Sequence, residues 1–203
     1  NYIDNILNQN GIPYILIDQA PVLKGDRVDA NNQKGGALLA DYLIKNGHTD
    51  VAVVCATKPT LNLQERLAGF VETYKNNGTP IPEDRIITTE MTKKGGYAAT
   101  KAALATKPTA IFGINDEVAI GVYRGLEEAG LKIPSDISVV GYDDIDLGEY
   151  ISPKLTTVHQ PAFEMGTNAA QMIIKRIEDH NEPIQQVSLP VSLVERDSVR
   201  AIN

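Results

Sequence analysis

Three apolar, β-branched runs of this chain end in short acidic or amide clusters, and those ends are where its residues can do chemistry. Gly141-Tyr142-Asp143-Asp144 closes Ile137-Ser138-Val139-Val140. Asn115-Asp116 follows Ala110-Ile111-Phe112-Gly113-Ile114, and Asp18 follows Ile15-Leu16-Ile17. In an open parallel sheet small molecules bind beyond the carboxyl ends of the strands, where glycine permits close approach and a short acid accepts ligand hydrogen bonds. The pattern points to ligand binding rather than catalysis. The histidines at 48, 159 and 180 are scattered, and the sequence holds no nucleophile elbow, phosphate loop or cysteine-histidine cluster. No metal, cofactor or enzymatic activity is therefore expected.

The elements that position these ends alternate. Strands are expected near 12–17, 51–55, 85–89, 110–114 and 137–142, with helices near 33–46 and 94–105 between them. Leu63, Leu67, Phe70, Val71 and Tyr74 form one helical stripe before Asn77-Gly78, and Val118, Val122, Leu126 and Ala129 form another before Gly130. Pro161 opens a long helix with Met165, Ala169, Met172, Ile173, Arg176 and Ile177 on one face. Val187, Leu189, Val191 and Leu193 alternate as a strand that Pro190 restricts to an edge or a bulge. This order predicts an α/β fold with mainly parallel sheets flanked by helices. The polar stretches at 26–32 and 155–160 lack helical period and read as crossings between two lobes with a cleft. The first lobe is expected from 1–31 and 158–186, the second from 32–157 and 187–203.

Composition narrows the partners. With 203 residues, 42% hydrophobic and 22% charged, the chain is an ordinary globular protein, and its formal charge of −7 opposes binding to a nucleic-acid backbone by this segment. The only cysteine, Cys55, ends an apolar run and cannot form an internal disulfide, which suits a reducing cytoplasm. No apolar run approaches the roughly 20 residues that span a bilayer, so no membrane partner is expected.

Several longer motifs carry a resemblance. Asn32-Gln33-Lys34-Gly35-Gly36, Leu43 to His48, Glu65-Arg66-Leu67-Ala68-Gly69-Phe70, Asn115 to Gly121, Ile133 to Asp144, and Leu155 to Pro161 follow in order. They resemble the effector-binding domain of the lactose/galactose-repressor family of bacterial transcription regulators, over essentially the whole chain, and the closing Arg196-Asp197-Ser198 is similar to that family's ending. The resemblance implies a two-lobed, periplasmic-binding-protein-like fold and a small sugar-like effector in the cleft. It also implies a homodimer, and operator DNA bound through an amino-terminal helix-turn-helix head. That head and the start of the first lobe are expected to be missing from this sequence. Asn31 stands where many relatives carry Asp. An exported sugar-binding protein of a transport system is the alternative that shares the fold.

The candidate effector-binding residues are Asp18, Arg66, Asn115, Asp116, Asp143 and Gln160. Arg66 is expected in the first turn of its helix, where the dipole disfavours a cation, so that a ligand or an ion pair with Glu65 or a cross-cleft acid must explain it. Asp143, first past its strand, is expected to face the cleft, and Asp144 to hold the turn. One of Asn115 and Asp116 should cap the following helix and leave the other for ligand. Asp18 resembles a sugar-contacting acid, with a turn role as its alternative. Gln160 lies at a lobe crossing and either bonds across the hinge or reaches the ligand. His48 is expected to complement a helix dipole, Thr57 and Asn62 to border the cleft, and Tyr142 to serve as a stacking ring or as core.

Overall fold

The computed structural model describes residues 6–7, 9–18 and 25–202; of the segment 1–31 expected in the first lobe, residues 1–5, 8 and 19–24 lie outside them. In chain order the elements are β1 (Ile15–Ile17), β2 (Asp26–Ala30), α1 (Asn32–Lys45), β3 (Val51–Ala56), α2 (Leu61–Asn76), β4 (Ile86–Thr89), α3 (Lys93–Ala105), β5 (Ala110–Gly113) and α4 (Asp116–Glu128). They continue as β6 (Ser138–Val140), α5 (Leu147–Tyr150), β7 (Thr157–His159), α6 (Ala162–Glu178), β8 (Gln186–Leu189) and β9 (Ser192–Val194).

Every residue of β3 is buried, as expected of a strand covered on both faces. It is central in a four-stranded parallel sheet of order β4-β3-β5-β6. One face carries α1 and α2 through Leu39, Leu43, Phe70, Tyr74 and Phe112; the other carries α3 and α4 through Ala99, Ala103, Val118, Val122 and Leu126. β7 lies alongside the exit of β6, with Gly141 N–H donating to Thr156 O at 3.0 Å and Asp143 N–H to Val158 O at 3.0 Å. β9 then pairs antiparallel with β7. The second sheet, β1-β2-β8, is parallel and packs Val28 and Ala30 against Met165, Ala169 and Met172 of α6.

Pro190 corrects one expectation. The alternating run 187–193 is two strands rather than one, because the residue without an N–H interrupts the ladder. β8 pairs with β2 from Gln186 to Leu189, and β9 pairs with β7. β8 thereby joins the β1-β2 sheet as far as Leu189. The apolar face expected for α6 also ends early, since Ile177 is exposed while Arg176 turns in to meet Asp26 through Nε–Oδ2 at 2.8 Å and Nη2–Oδ1 at 3.0 Å. His48 is buried, its ring joined to Thr109 Oγ1 and Arg200 O at 2.9 Å each. Burial pushes its pKa below the ordinary value, so it ties the carboxyl-terminal segment to the sheet as a neutral ring rather than serving a dipole as a cation.

What positions α2, and with it Arg66, is the close crossing of α1 and α2. A Cβ added at Gly36 would stand 2.0 Å from Arg66 O, and one at Gly69 would stand 1.9 Å from Gln33 O. Both obstacles are backbone and cannot rotate away. Gly36→Ala is expected to destabilise the protein by about 1–3 kcal/mol through overpacking, read as a fall in Tm of several degrees by calorimetry. An unchanged Tm would show that the helix crossing is slack.

Candidate functional site

Asp18, Asn62, Arg66, Asn115, Asp143 and Gln160 line one cavity of about 480 Å³, together with Thr60, Leu63, Met91, Ile145 and Ala162. Its size lies within the range of small-molecule sites. The strand ends supply the acids, α2 supplies Arg66, and the crossing after β7 supplies Gln160.

Arg66 organises the floor. Its side chain is 3% exposed, yet α2 begins at Leu61, so the residue lies beyond the first turn and the dipole does not account for its placement. Partners from four separate segments do. Nε donates to Asn32 Oδ1 at 2.9 Å, Nη2 donates to Gln160 Oε1 at 2.6 Å, and Nη1 meets Asp143 Oδ1 at 2.8 Å, with a longer contact to Ile114 O at 3.4 Å. Tyr142 lies beneath, its ring centroid 3.8 Å from Arg66 Cζ, within cation–π range. The ion pair considered as the alternative for Arg66 thus exists, with Asp143 rather than Glu65. Burial raises the Asp143 pKa, the Arg66 charge opposes that rise, and Asp18 adds to it. Arg66 is thus the group that favours the ionised carboxyl there.

Gln160 joins the two blocks of the chain: its Nε2 donates to Asp18 Oδ2 at 2.9 Å while its oxygen serves Arg66. Asn32 makes a second, weaker link, with Nδ2 to Asp18 Oδ1 at 3.4 Å. Asn32 was missed by sequence reasoning, which considered only its neighbour Asn31. The two divide the work: Asn31 caps α1 by accepting from Lys34 N–H at 3.0 Å, and Asn32 is buried among the polar groups. A tandem amide at a strand-to-helix crossing is the signal that could have found it.

Asn115 and Asp116 do not divide as expected. Asn115 both caps α4, accepting from Val118 N–H at 2.9 Å, and lines the cavity, since the cap uses its oxygen and leaves its amide nitrogen to donate. Asp116 is fully buried outside the cavity, accepting from Ile145 N–H at 2.9 Å and Thr157 Oγ1–H at 2.7 Å. The space created by Gly141 belongs to this carboxylate: a Cβ there would stand 2.1 Å from Asp116 Oδ1. The close approach read from Gly141 is internal and not made to a ligand.

Asp144 turns from the cavity and pairs with Arg196 Nη2 at 2.7 Å and His159 Nδ1 at 2.9 Å, as a residue holding the turn should. Thr57 donates to Thr89 O and is not among the lining residues. Tyr142 is core, with no exposed surface, and no aromatic ring stands among the described lining residues. Leu63, Met91 and Ile145 instead supply the apolar wall.

Burial drives the Asp116 pKa up to about 7, against the pull of its two hydrogen bonds and with help from Asp143 and Asp144. The folded state therefore holds the Asp116 proton more tightly than the unfolded chain does. Its stabilising contribution is complete below the ordinary carboxyl value of 3.8 and is lost as pH rises towards about 7. Asp116→Asn resembles the protonated acid, with an oxygen for Ile145 N–H and an amide for the reversible Thr157 hydroxyl. Thermal melts from pH 4 to pH 8 should show a flatter pH dependence for Asp116→Asn, with stability at pH 8 equal to or above wild type. A parallel pair of curves would assign the wild-type slope elsewhere.

Comparison with known proteins agrees with this geometry. The periplasmic binding protein-like domain family matches residues 40–199. The HTH-type transcriptional repressor PurR of Vibrio parahaemolyticus is 37% identical over 201 residues, and the ribose operon repressor of Escherichia coli K12 is 36% identical over 190 residues. These alignments cover 95% and 92% of this chain, which spans 58% of the length of each of these curated relatives. The crystal structure of a LacI family transcriptional regulator from Enterococcus faecalis V583 with bound ribose superposes with a TM-score of 0.92 at 40% identity, covering 99% of this chain and 73% of that one. The chain belongs to the periplasmic-binding-protein-like domain family and, within it, to the LacI family.

Proposed function

We propose that this chain is the effector-sensing part of a bacterial DNA-binding transcription repressor, and that its effector is a small sugar bound by Asp18, Arg66, Asn115, Asp143 and Gln160. The observation that carries this reading is the convergence on one cavity of a buried guanidinium, two carboxylates and three amides. Hydroxyl groups both donate and accept, so a polyol can satisfy acids and amide donors at once. The cavity offers polar groups around a short aliphatic wall and, among the described lining residues, no ring for the flat face of a purine. A pentose fits that chemistry, and ribose is the sugar held by the Enterococcus faecalis relative. The named repressors among the relatives favour a regulator over an exported transport protein.

The accompanying architecture is two lobes, 1–31 with 158–189 and 32–157 with the remainder, joined where Gln160 crosses. The protein works as a cytoplasmic homodimer whose operator contacts come from an amino-terminal helix-turn-helix head. Effector shifts the balance of lobe arrangements only by its differential affinity for them, and the dimer converts that balance into the spacing of two heads on operator half-sites.

Isothermal titration of the full protein with D-ribose, and with purine bases for comparison, tests the reading. Saturable heat with ribose and none with purines is expected; the reverse result would sink the sugar assignment. Arg66→Ala should abolish measurable binding, a loss of about 2–5 kcal/mol dominated by buried partners left unpaired, and should lower Tm because Asn32 and Asp143 lose the same partner. Asp143→Asn should weaken binding at least tenfold, about 1.4 kcal/mol. In gel-shift assays at physiological salt, residues 1–203 alone should give no operator-dependent shift, given their charge of −7, whereas the full protein should respond to ribose. A sequence-dependent shift from residues 1–203 would overturn the separate-head assignment.

A further inference from the structure

Asp143 and Asp144 are consecutive non-glycine residues with φ of 111° and 59°. L side chains rarely adopt such backbone, and it persists only where the surroundings hold it. Asp143 gives its N–H to Val158 O and its carboxylate to Arg66, and the remaining bonds that hold the turn gather on Asp144. Its carboxylate, 16% exposed, is gripped by Arg196, whose guanidinium is 10% exposed. Arg196 Nη2 also meets Glu149 Oε1 at 2.9 Å and its Nη1 donates to Leu155 O at 2.9 Å, so one planar fork spans α5, the chain entering β7 and the strained turn. His159 closes the other side of Asp144 through Nδ1 at 2.9 Å, and the backbone of Asp143 is bridged to the same histidine. None of Asp144, Glu149, His159 and Arg196 lines the cavity.

We infer that Asp144 and Arg196 are positioning residues for effector binding: by locking the left-handed turn from outside the cavity, they aim the Asp143 carboxylate at Arg66 and at the ligand. The side chains alternate across the turn, Asp143 inward to a cation of α2 and Asp144 outward to a cation that follows β9. A one-residue turn of the backbone in either direction would exchange them, and the Arg196 fork is what opposes that rotation. The segment after β9, remote from the site in sequence, thereby bears on site geometry. The ligand half of this inference rests on the sugar reading above; the coupling between Arg196 and Asp143 does not.

Two measurements on the full protein separate them. The first needs no ligand: melting temperatures of Arg196→Met, Asp143→Asn and the double variant. Arg196 and Asp143 share no side-chain contact, so independent effects should add; losses that are less than additive are expected if Arg196 acts through Asp143, and additive losses overturn the clamp. Arg196→Lys, which keeps the charge but not the fork, replaces Arg196→Met in the cycle if the latter does not fold. The second is titration of Asp144→Gly with D-ribose. Glycine accepts φ of 59° without strain while removing the Arg196 ion pair and the His159 contact, so Tm should stay within a few degrees of wild type while Kd rises at least tenfold. Wild-type affinity in Asp144→Gly overturns the positioning role, because a merely structural Asp144 would leave binding unchanged. A wild type that ignores ribose while the thermal cycle remains non-additive removes the sugar assignment and leaves the clamp standing.

Discussion

A guanidinium removed from water must find partners for its donors, and the site is organised around meeting that demand for Arg66. An uncompensated buried charge costs several kcal/mol, so the residues around it are constrained jointly. Gly36 and Gly69 bring α1 within reach of α2, which sets Asn32 against Nε. The turn after β6 brings Asp143 to Nη1, and the crossing after β7 brings Gln160 to Nη2. Tyr142 fills the remaining face, with its hydroxyl lodged where only a glycine at 35 leaves room. Removing any one of these leaves a polar group of the others unpaired, which is why the helix crossing and the binding site cannot be varied independently.

Much of this was legible in the sequence, and the reasons for the failures are physical. The strand-helix alternation of the larger sheet follows from hydrophobic period, and the period does not depend on distant residues. Asp18, Asp143 and Gln160 reach the cavity because strand ends and crossings converge in a parallel sheet whatever the details. Asp116 failed because type and position said only that an acid begins α4. Whether it faces ligand or core depends on Thr157 and Ile145, which are remote in sequence. Gly141 failed for the same reason, since the carboxylate filling its space comes from another strand end. Asp143 and Asp144 were assigned to opposite faces correctly, although the positive φ values that produce the alternation are invisible in two aspartates. The run 187–193 misled because alternation fixes which residues share a face and does not fix which sheet they join. Pro190 is the break that sends its halves to different partners.

The polar groups of the site are bonded in one series, and in the proposed reading this bears on how it discriminates. Asp18, Gln160, Arg66 and Asp143 satisfy one another in series, so a ligand that offered only apolar surface would gain little and would leave those groups dry. A molecule carrying hydroxyls at the right spacing can insert into the series and replace each contact it breaks. In the proposed reading, rejection of analogues that lack a hydroxyl is then stronger than selection for bulk, because the penalty is an unpaired buried charge rather than a lost methylene contact.

The same series crosses between the two blocks of the chain most tightly at one side chain, the contacts of Asn32 and Asn62 with Asp18 being longer at 3.4 Å each. Gln160 presents its amide nitrogen to Asp18 on β1's exit and its oxygen to Arg66 on α2, so any rearrangement that separates the blocks must break one of those bonds. In the proposed reading, effector occupancy and lobe arrangement are coupled because they compete for these two hydrogen bonds. One bond joins the amide to a carboxylate and the other to a guanidinium, and a charge-assisted bond contributes about 1.5–3 kcal/mol, so breaking one of them is enough for a typical allosteric coupling of about 1–3 kcal/mol. No larger mechanical linkage is required: one amide, held between an acid and a cation that each need it, is enough to make binding and shape report on one another.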